Sequence, residues 1–358
     1  PSRVLRHLRT VTQSLDATGL SAHFEIFLLS DTNRPPLAAE EDRLFAEWRA
    51  TDLNPDRLHY RRRTVNLRQK VGNLEDFCER WGDDFDHMVV LDADSLMSGP
   101  AILRLVRLMQ ANPKLGILQS LITGLPTTSA FARVFQFGMR HGMRSYTTGS
   151  AWWQGDEGPY WGHNAIIRLK PFREHCRLPR LSGRAPLGGE ILSHDQIEAV
   201  MMRSAGYDVR VLPLEDGSFE ENPPTLQDFM KRDLRWCQGN VQYLKLLWMP
   251  GVRPLGRLQI LLAIMMYTAA PVWYAFMITG LAQFVVEALT YKTTLHDEIM
   301  GPFLTPMAEM SGGVTLFVVI LTMNFAPKIL GVIDVMLRPE ERRRYGGASA
   351  LAIGALVE

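Results

Sequence analysis

Cysteine is scarce in this sequence: Cys78, Cys176 and Cys237 are its only three, they lie far apart, and no CxxC or histidine-rich spacing accompanies them. That excludes a disulfide framework and a thiolate metal site, and it suits a reducing compartment. An excess of charge of one sign is also missing. With 39 basic and 38 acidic residues the formal net charge is +1, so the electrostatic footprint of a nucleic-acid partner is absent. Glycine-rich phosphate loops are lacking too. Neither GxGxxG nor a P-loop pattern follows any apolar run, so a phosphate-bearing ligand would have to be held by side chains and a metal ion.

Charge is absent altogether from Leu258 to Val286, a run of 29 residues, and again from Met310 to Pro327, after which the chain stays largely apolar to Leu337. Each run can cross a hydrocarbon core of about 30 Å at about 1.5 Å per helical residue. Two membrane spans are expected, over about 258–286 and 310–337, and Pro271 inside the first is tolerable if neighbours satisfy the freed backbone groups. Arg253 and Arg257 precede the first span, and Lys328, Arg338, Arg342, Arg343 and Arg344 follow the start of the second. The connecting loop carries Lys292 against Glu287, Asp297, Glu298 and Glu309. The positive-inside rule then puts both basic flanks, and the soluble part, in the cytoplasm. The chain opens on Pro1 without Met and closes on an apolar run from Gly346 that would begin a third span. Both ends read as cut, and a fragment of a larger multi-pass membrane protein is expected.

The charged part, residues 1–250, divides into alternating strand and helix patterns. Helical periods cover 2–15, 39–50, 70–81 and 100–110, with Pro100 suited to a first helical turn. Apolar runs at 24–31, 58–63, 87–92 and 115–119 read as strands. This alternation predicts an α/β fold, a mostly parallel sheet with helices on both faces. The stretch His87 to Ser95 organises it: a short apolar run ends on Asp92 and Asp94, and ligands bind at that edge of an open α/β sheet. Two acids at alternate positions form a hard-oxygen site for Mg²⁺ or Mn²⁺ carrying substrate phosphates. A solvated acidic turn fits equally well, since Asp83, Asp84 and Asp86 stand close by. Asp31 ends the earlier run and would sit at a neighbouring strand end. A metal ion and acids without a glycine-rich loop favour a nucleotide-sugar enzyme over a dehydrogenase or kinase.

Further on, residues 131–184 read as irregular and aromatic, with Trp152, Trp153, Tyr160 and Trp161 near Gly162, His163 and Asn164. Such a cluster fits either a sugar site, with Trp161, His163 and Asn164 as contacts, or core packing. Ser193 and Gln196 fit a capping box that puts Asp195 in a first helical turn, where it could be a general base or merely favour the helix dipole. Pro223 to Thr225 open a helix with an apolar stripe at Leu226, Phe229, Met230, Leu234, Cys237, Val241 and Leu244. Arg232 and Arg235 lie opposite, able to converge on one anion or simply to face solvent, and Trp236 flanks the stripe. This helix leads to the first span and is expected at the membrane surface.

Asp31, the Asp92-Ala-Asp94 pair, Asp195 and the Arg232 to Trp236 segment, in that order and followed by membrane spans, resemble the processive, membrane-embedded branch of glycosyltransferase family 2. The strings LSDTNRPPLAAEE, LDADSLMSGPAILRLVRLMQANP, GDEGPYWGHNAIIR, LSGRAPLGGEILSHD and KRDLRWCQGN are similar to the glucans biosynthesis glucosyltransferase H family across essentially the whole chain. The resemblance implies a GT-A catalytic domain over 1–250 and a transmembrane region over 251–358 in a bacterial inner membrane. It implies UDP-glucose as donor, a growing glucan as acceptor, a divalent cation, and contacts with other proteins of glucan synthesis and export. By the same likeness Asp31 contacts uridine, Lys70 matches the KAGN lysine, Asp92 and Asp94 match DxD with Asp94 the direct metal ligand, Asp195 is the base, and Arg232, Arg235 and Trp236 match QxxRW. The chain departs from the pattern where His194 replaces Glu and Arg232 replaces Gln, and in that the first GT-A strand would precede Pro1. The expected product is a β-1,2-linked osmoregulated periplasmic glucan. Another β-linked polysaccharide such as cellulose, or a non-catalytic UDP-sugar sensor, is the alternative.

Overall fold

The computed structural model describes residues 1–294 and 305–357. The amphipathic helix α1 (Ser2–Asp16) leads to strand β1 (Ile26–Ser30), then α2 (Pro35–Thr51), β2 (Leu58–Arg62) and α3 (Gln69–Trp81). Next come β3 (His87–Val90), β4 (Ser95–Met97) and α4 (Gly99–Ala111), where Ser98 caps the helix by accepting from the Ala101 amide and Pro100 sits in the first turn. After β5 (Leu115–Ser120) and β6 (Thr123–Gly124), α5 runs over Ala130–Gln154. This 25-residue helix occupies much of the stretch expected to be irregular. Gly138, Gly142 and Gly149 weaken its intrinsic propensity and interrupt its apolar period, so packing rather than local preference makes it helical.

The chain continues through β7 (Ala165–Arg168), α6 (Leu169–His175), α7 (Asp195–Ser204), β8 (Asp208–Leu212), β9 (Ser218–Glu220) and α8 (Leu226–Gln242). Helix α8 is capped by Thr225, which accepts from the Asp228 amide at 3.2 Å while the Asp228 carboxylate accepts from the threonine hydroxyl at 2.7 Å.

The central sheet has the order β3-β7-β5-β8. Strands β3, β5 and β8 run one way, and β7 is inserted antiparallel between β3 and β5. The alternation of strands and helices leads to the expected α/β sheet, but this one reversed strand is invisible in it. Its consequence is local: Ala165, the first residue of β7, pairs with Val90 at the end of β3 and with Gln119 near the end of β5. Residues 162–164 are thereby delivered to the carboxyl edge of the sheet. The expectation that Asp31 and Asp92 end neighbouring strands needs correction, since β1 pairs with β2 in a separate two-stranded sheet. A third sheet, β4-β9-β6, sets Ser95 opposite Glu220.

Both faces of the central sheet are covered, which explains its continuous apolar runs. Ile117, Ile167 and Val209 pack with Phe77, Phe172, Ala199 and Met202 on one side, while Leu115, Leu118 and Ile166 pack with Val11, Leu15, Ile102, Leu105 and Met109 on the other. The chain separates into two compact units, Pro1–Leu261 and Leu262–Glu358. Helices α9 (Pro254–Thr294) and α10 (Thr305–Leu337) contain segments, Pro254–Val286 and Phe317–Leu337, long and apolar enough to cross a membrane. The expected loop charges Asp297 and Glu298 lie outside the described residues. Beyond α10 come α11 (Pro339–Arg344) and the apolar α12 (Ala348–Val357).

Candidate active site

Asp92 and Asp94 do not sit on a strand: β3 stops at Val90, and the pair occupies the turn into β4. The turn is tied by the Ser95 amide donating to the Asp92 carbonyl at 3.0 Å and the Asp92 amide to Ser95 Oγ at 3.2 Å. Lys70, in the first turn of α3, donates Nζ to Asp92 Oδ1 and to the Gly162 carbonyl, the latter at 2.9 Å. Burial pushes the Asp92 carboxyl up, but Lys70, with His163 and His194, outweighs it and holds the group below its ordinary value. Asp31 meets the same helix start by another route. Arg63 grips its carboxylate with Nε and Nη2 at 2.7 and 2.6 Å and donates to the Gln69 carbonyl at 2.8 Å.

Gly162 is the meeting point with the predicted base. Its φ of +87° lies in the left-handed region, and a Cβ there would sit 3.4 Å from the Asp195 Cβ and 3.6 Å from Lys70 Nζ. The half-buried Asp195 begins α7, as expected, but the capping box does not form: the residue at the cap is His194, and no side chain caps the helix. Burial pushes the Asp195 carboxyl up, His194 and Lys70 pull it down, Glu198 pushes it up, and the net direction is upward.

The aromatic cluster divides. Tyr160 is fully buried in the core, Trp152 is exposed on α5, and Trp161 is half-buried with its ring 6.3 Å from that of Tyr146. Asn164 cannot serve as the expected sugar contact, being 0% exposed. Its side-chain amide donates to Ser218 Oγ at 2.9 Å and the Phe219 carbonyl at 3.1 Å, its main-chain amide donates to the Val90 carbonyl, and its carbonyl accepts from Ser120. A buried side chain whose donors are all used is scaffold. His163 stays at the site, with Nδ1 3.2 Å from Ser95 Oγ and Nε2 3.4 Å from Glu220.

Helix α8 presents an unexpected face. Leu226, Met230 and Leu234 of the apolar stripe point outward, Leu234 being 68% exposed, whereas Arg232 turns inward. Burial pulls the Arg232 guanidinium down, opposed by the Glu220 and Asp94 carboxylates, and its Cζ lies 4.5 Å from the Trp236 ring centroid. Arg235 and Trp236 are exposed. The helix sits close to the base: a Cβ on Gly239 would fall 2.7 Å from the Ser193 amide nitrogen. The Tyr243 hydroxyl donates to the Ser193 carbonyl at 2.6 Å.

Several participants escaped the sequence reading. Gln119, fully buried, accepts from the Trp161 amide and donates to the His163 carbonyl, holding the loop before β7. Glu220 becomes a neighbour of Asp94 only through the β4–β9 register. Glu198 follows His194 by one helical turn, a spacing that could have been noticed.

Among the described residues no group of three or more His, Cys, Asp or Glu side chains could hold a metal ion, and the Asp94 carboxylate lies within electrostatic reach of the Arg232 guanidinium. A single carboxylate suits a hard cation only where phosphate oxygens and water complete the shell. The site thus fits a cation that arrives with its ligand and does not fit a resident one.

Residues 87–325 match Glycosyl transferase family group 2. The match takes in Asp92, Asp94, His163, Asp195 and the α8 residues. Over 363 residues, all of this chain, the sequence is 39% identical to glucans biosynthesis glucosyltransferase H of Xanthomonas campestris pv. campestris, 55% of whose length is covered. It is 41% identical to the proteins of that name from Rhodopseudomonas palustris and Klebsiella pneumoniae, over 99% of the chain and 49% and 42% of their lengths. The chain therefore spans about half the length of the curated relatives it matches. With an α/β unit whose acidic turn, lysine and α7 carboxylate gather at one sheet edge, and with a family match over two thirds of its length, the chain belongs to glycosyl transferase family group 2.

Proposed function

We propose that the chain is the catalytic part of an inverting glucosyltransferase that uses UDP-glucose to build the β-1,2-linked backbone of osmoregulated periplasmic glucans. The observation that carries this reading is the convergence of Asp195, Lys70 and Asp92 around Gly162. A base, a phosphate-side cation and the DxD turn then share one cleft. The donor and the linkage rest on the likeness to the named relatives.

In this mechanism Asp195 accepts the proton of an acceptor hydroxyl. The hydroxyl oxygen forms its bond to the anomeric carbon on the face opposite UDP, and the carbon–oxygen bond to the diphosphate breaks, its electron pair leaving with UDP. Configuration inverts. Arg232 and Arg235 offset charge growing on the diphosphate, and Asp31, Lys70 and Asp92 hold the nucleotide. A divalent cation beside Asp94 would add to that charge neutralisation when bound. Trp236, backed by the Arg232 guanidinium, offers a ring for the acceptor sugar, and Trp161 and His163 line the same cleft.

Helices α9 and α10 anchor this unit in the bacterial inner membrane with the catalytic unit in the cytoplasm, where UDP-glucose is made. The segments Pro254–Val286 and Phe317–Leu337 are strongly apolar, and their side chains are largely exposed, the combination of a helix facing lipid. The outward stripe of α8 lies on the membrane surface. The test is to feed labelled UDP-glucose to the membrane-embedded protein and analyse product linkages. A β-1,2 glucan is the expected outcome. A β-1,4 product would make it a cellulose-type synthase, and UDP binding without turnover would make it a sensor.

A further inference from the structure

Beside the base lies a buried charged pair that the mechanism above does not use. His194 and Glu198, 7% and 2% exposed, face each other one helical turn apart at the start of α7, with Nδ1 3.0 Å from Oε2. An imidazole and a carboxylate both removed from water are stable there only as a hydrogen-bonded pair. Lys70 from α3 and Asp92 from the turn after β3 are the charged groups within electrostatic reach of His194 or Asp195. Tyr160 before β7, Tyr243 after α8 and Cys176 after α6 also pack there, and burial pushes all three up, so they stay neutral. The Cys176 thiol donates to the Glu198 carbonyl at 3.5 Å.

We propose that His194 and Glu198 are positioning residues for Asp195: an imidazolium set beside the base and locked by a carboxylate one turn behind it, keeping the base ionised in a partly dry cleft. This rests on the reading of Asp195 as the base. Burial pulls the His194 imidazole down, but Glu198, with Asp195 adding to it, outweighs that and raises the group above its ordinary value. Of the pair's two charges, the imidazolium acts on Asp195 more strongly than the carboxylate, so the net influence opposes protonation of the base. With Glu198 buried behind it, a glutamate at 194 would crowd three carboxylates into one helical turn, and one of them would hold a proton.

The test is the pH profile of glucosyl transfer by the membrane-embedded protein with labelled UDP-glucose. His194→Gln removes the positive charge, so the acid limb of kcat should move up by about one pH unit, a roughly tenfold loss on that limb that alkaline pH restores, with KM little changed. Because the single change leaves Glu198 buried without a cation, His194→Gln/Glu198→Gln is made as well. It keeps a neutral hydrogen-bonding pair and should move the limb in the same direction by less. An unmoved acid limb in the double variant, with Asp195→Asn inactive, overturns the pair's role and leaves Asp195 as base. Turnover in Asp195→Asn overturns the base assignment and the pair's role together.

Discussion

Asp195 carries the sharpest expectation at the residue scale. Asp195→Asn removes a proton acceptor at constant volume, so transfer should fall by about 10² to 10⁴-fold while UDP binding, measured by titration, stays near wild type. Because its carboxyl is raised, it takes up a proton earlier than an ordinary carboxylate as pH falls. Activity should decline on an acid limb above the usual carboxylate range. Asp94 is the complementary case. Asp94→Ala should abolish the cation-dependent part of UDP binding, because phosphates and one remaining carboxylate hold a hard cation poorly. Wild-type UDP affinity that is indifferent to EDTA would sink the cation reading. Residue types and spacing were enough to single out Asp92, Asp94 and Asp195, and the family resemblance added Lys70. Asn164 misled, since an amide beside aromatic rings has one composition whether it faces a sugar or, as here, ties β3, β5 and β9 together.

Elements reveal a different division. Most helices and strands of the first 125 residues lie where periodicity put them, because each has one dominant partner face. Helix α5 and the reversed strand β7 do not announce themselves locally: glycines blur the first, and direction within a sheet is a property of neighbours. Helix α8 has its stripe in the expected positions, but Leu226, Met230 and Leu234 face outward while Phe229 packs on Phe135, and Arg232 turns toward the Glu220 and Asp94 carboxylates. The packing of α8 also yields a prediction. A Cβ on Gly239 would meet the Ser193 amide, so Gly239→Ala should shift the loop that carries His194 and Asp195. We expect a loss of turnover on the order of 10²-fold, as a displacement of about 1 Å can produce, with UDP binding much less affected. Equal turnover in that variant would show that α8 yields instead.

For the whole molecule, the test is topological. Lys and Arg flank the outer ends of both candidate spans and are sparse between them, so the positive-inside rule predicts those flanks inside. In intact cells, cysteines introduced near Arg253 or Arg342 should resist an impermeant thiol reagent, and one introduced near Lys292 should react. Labelling near Arg342 would refute the topology and, with it, access of the site to cytoplasmic UDP-glucose.

Taken by itself, the sequence determined the α/β alternation, the two apolar segments and the chemical groups of the site, because burial, helical period and charge are written residue by residue. Only the tertiary structure decided which groups meet. Lys70 reaches Asp92 across 22 positions and Glu220 comes beside Asp94 by strand register, while Gly162 meets Asp195 because β7 runs backwards. Those approaches depend on strand direction and helix packing, which no local pattern encodes, and the turn that takes Asp92 and Asp94 off the strand follows from the same long-range contacts.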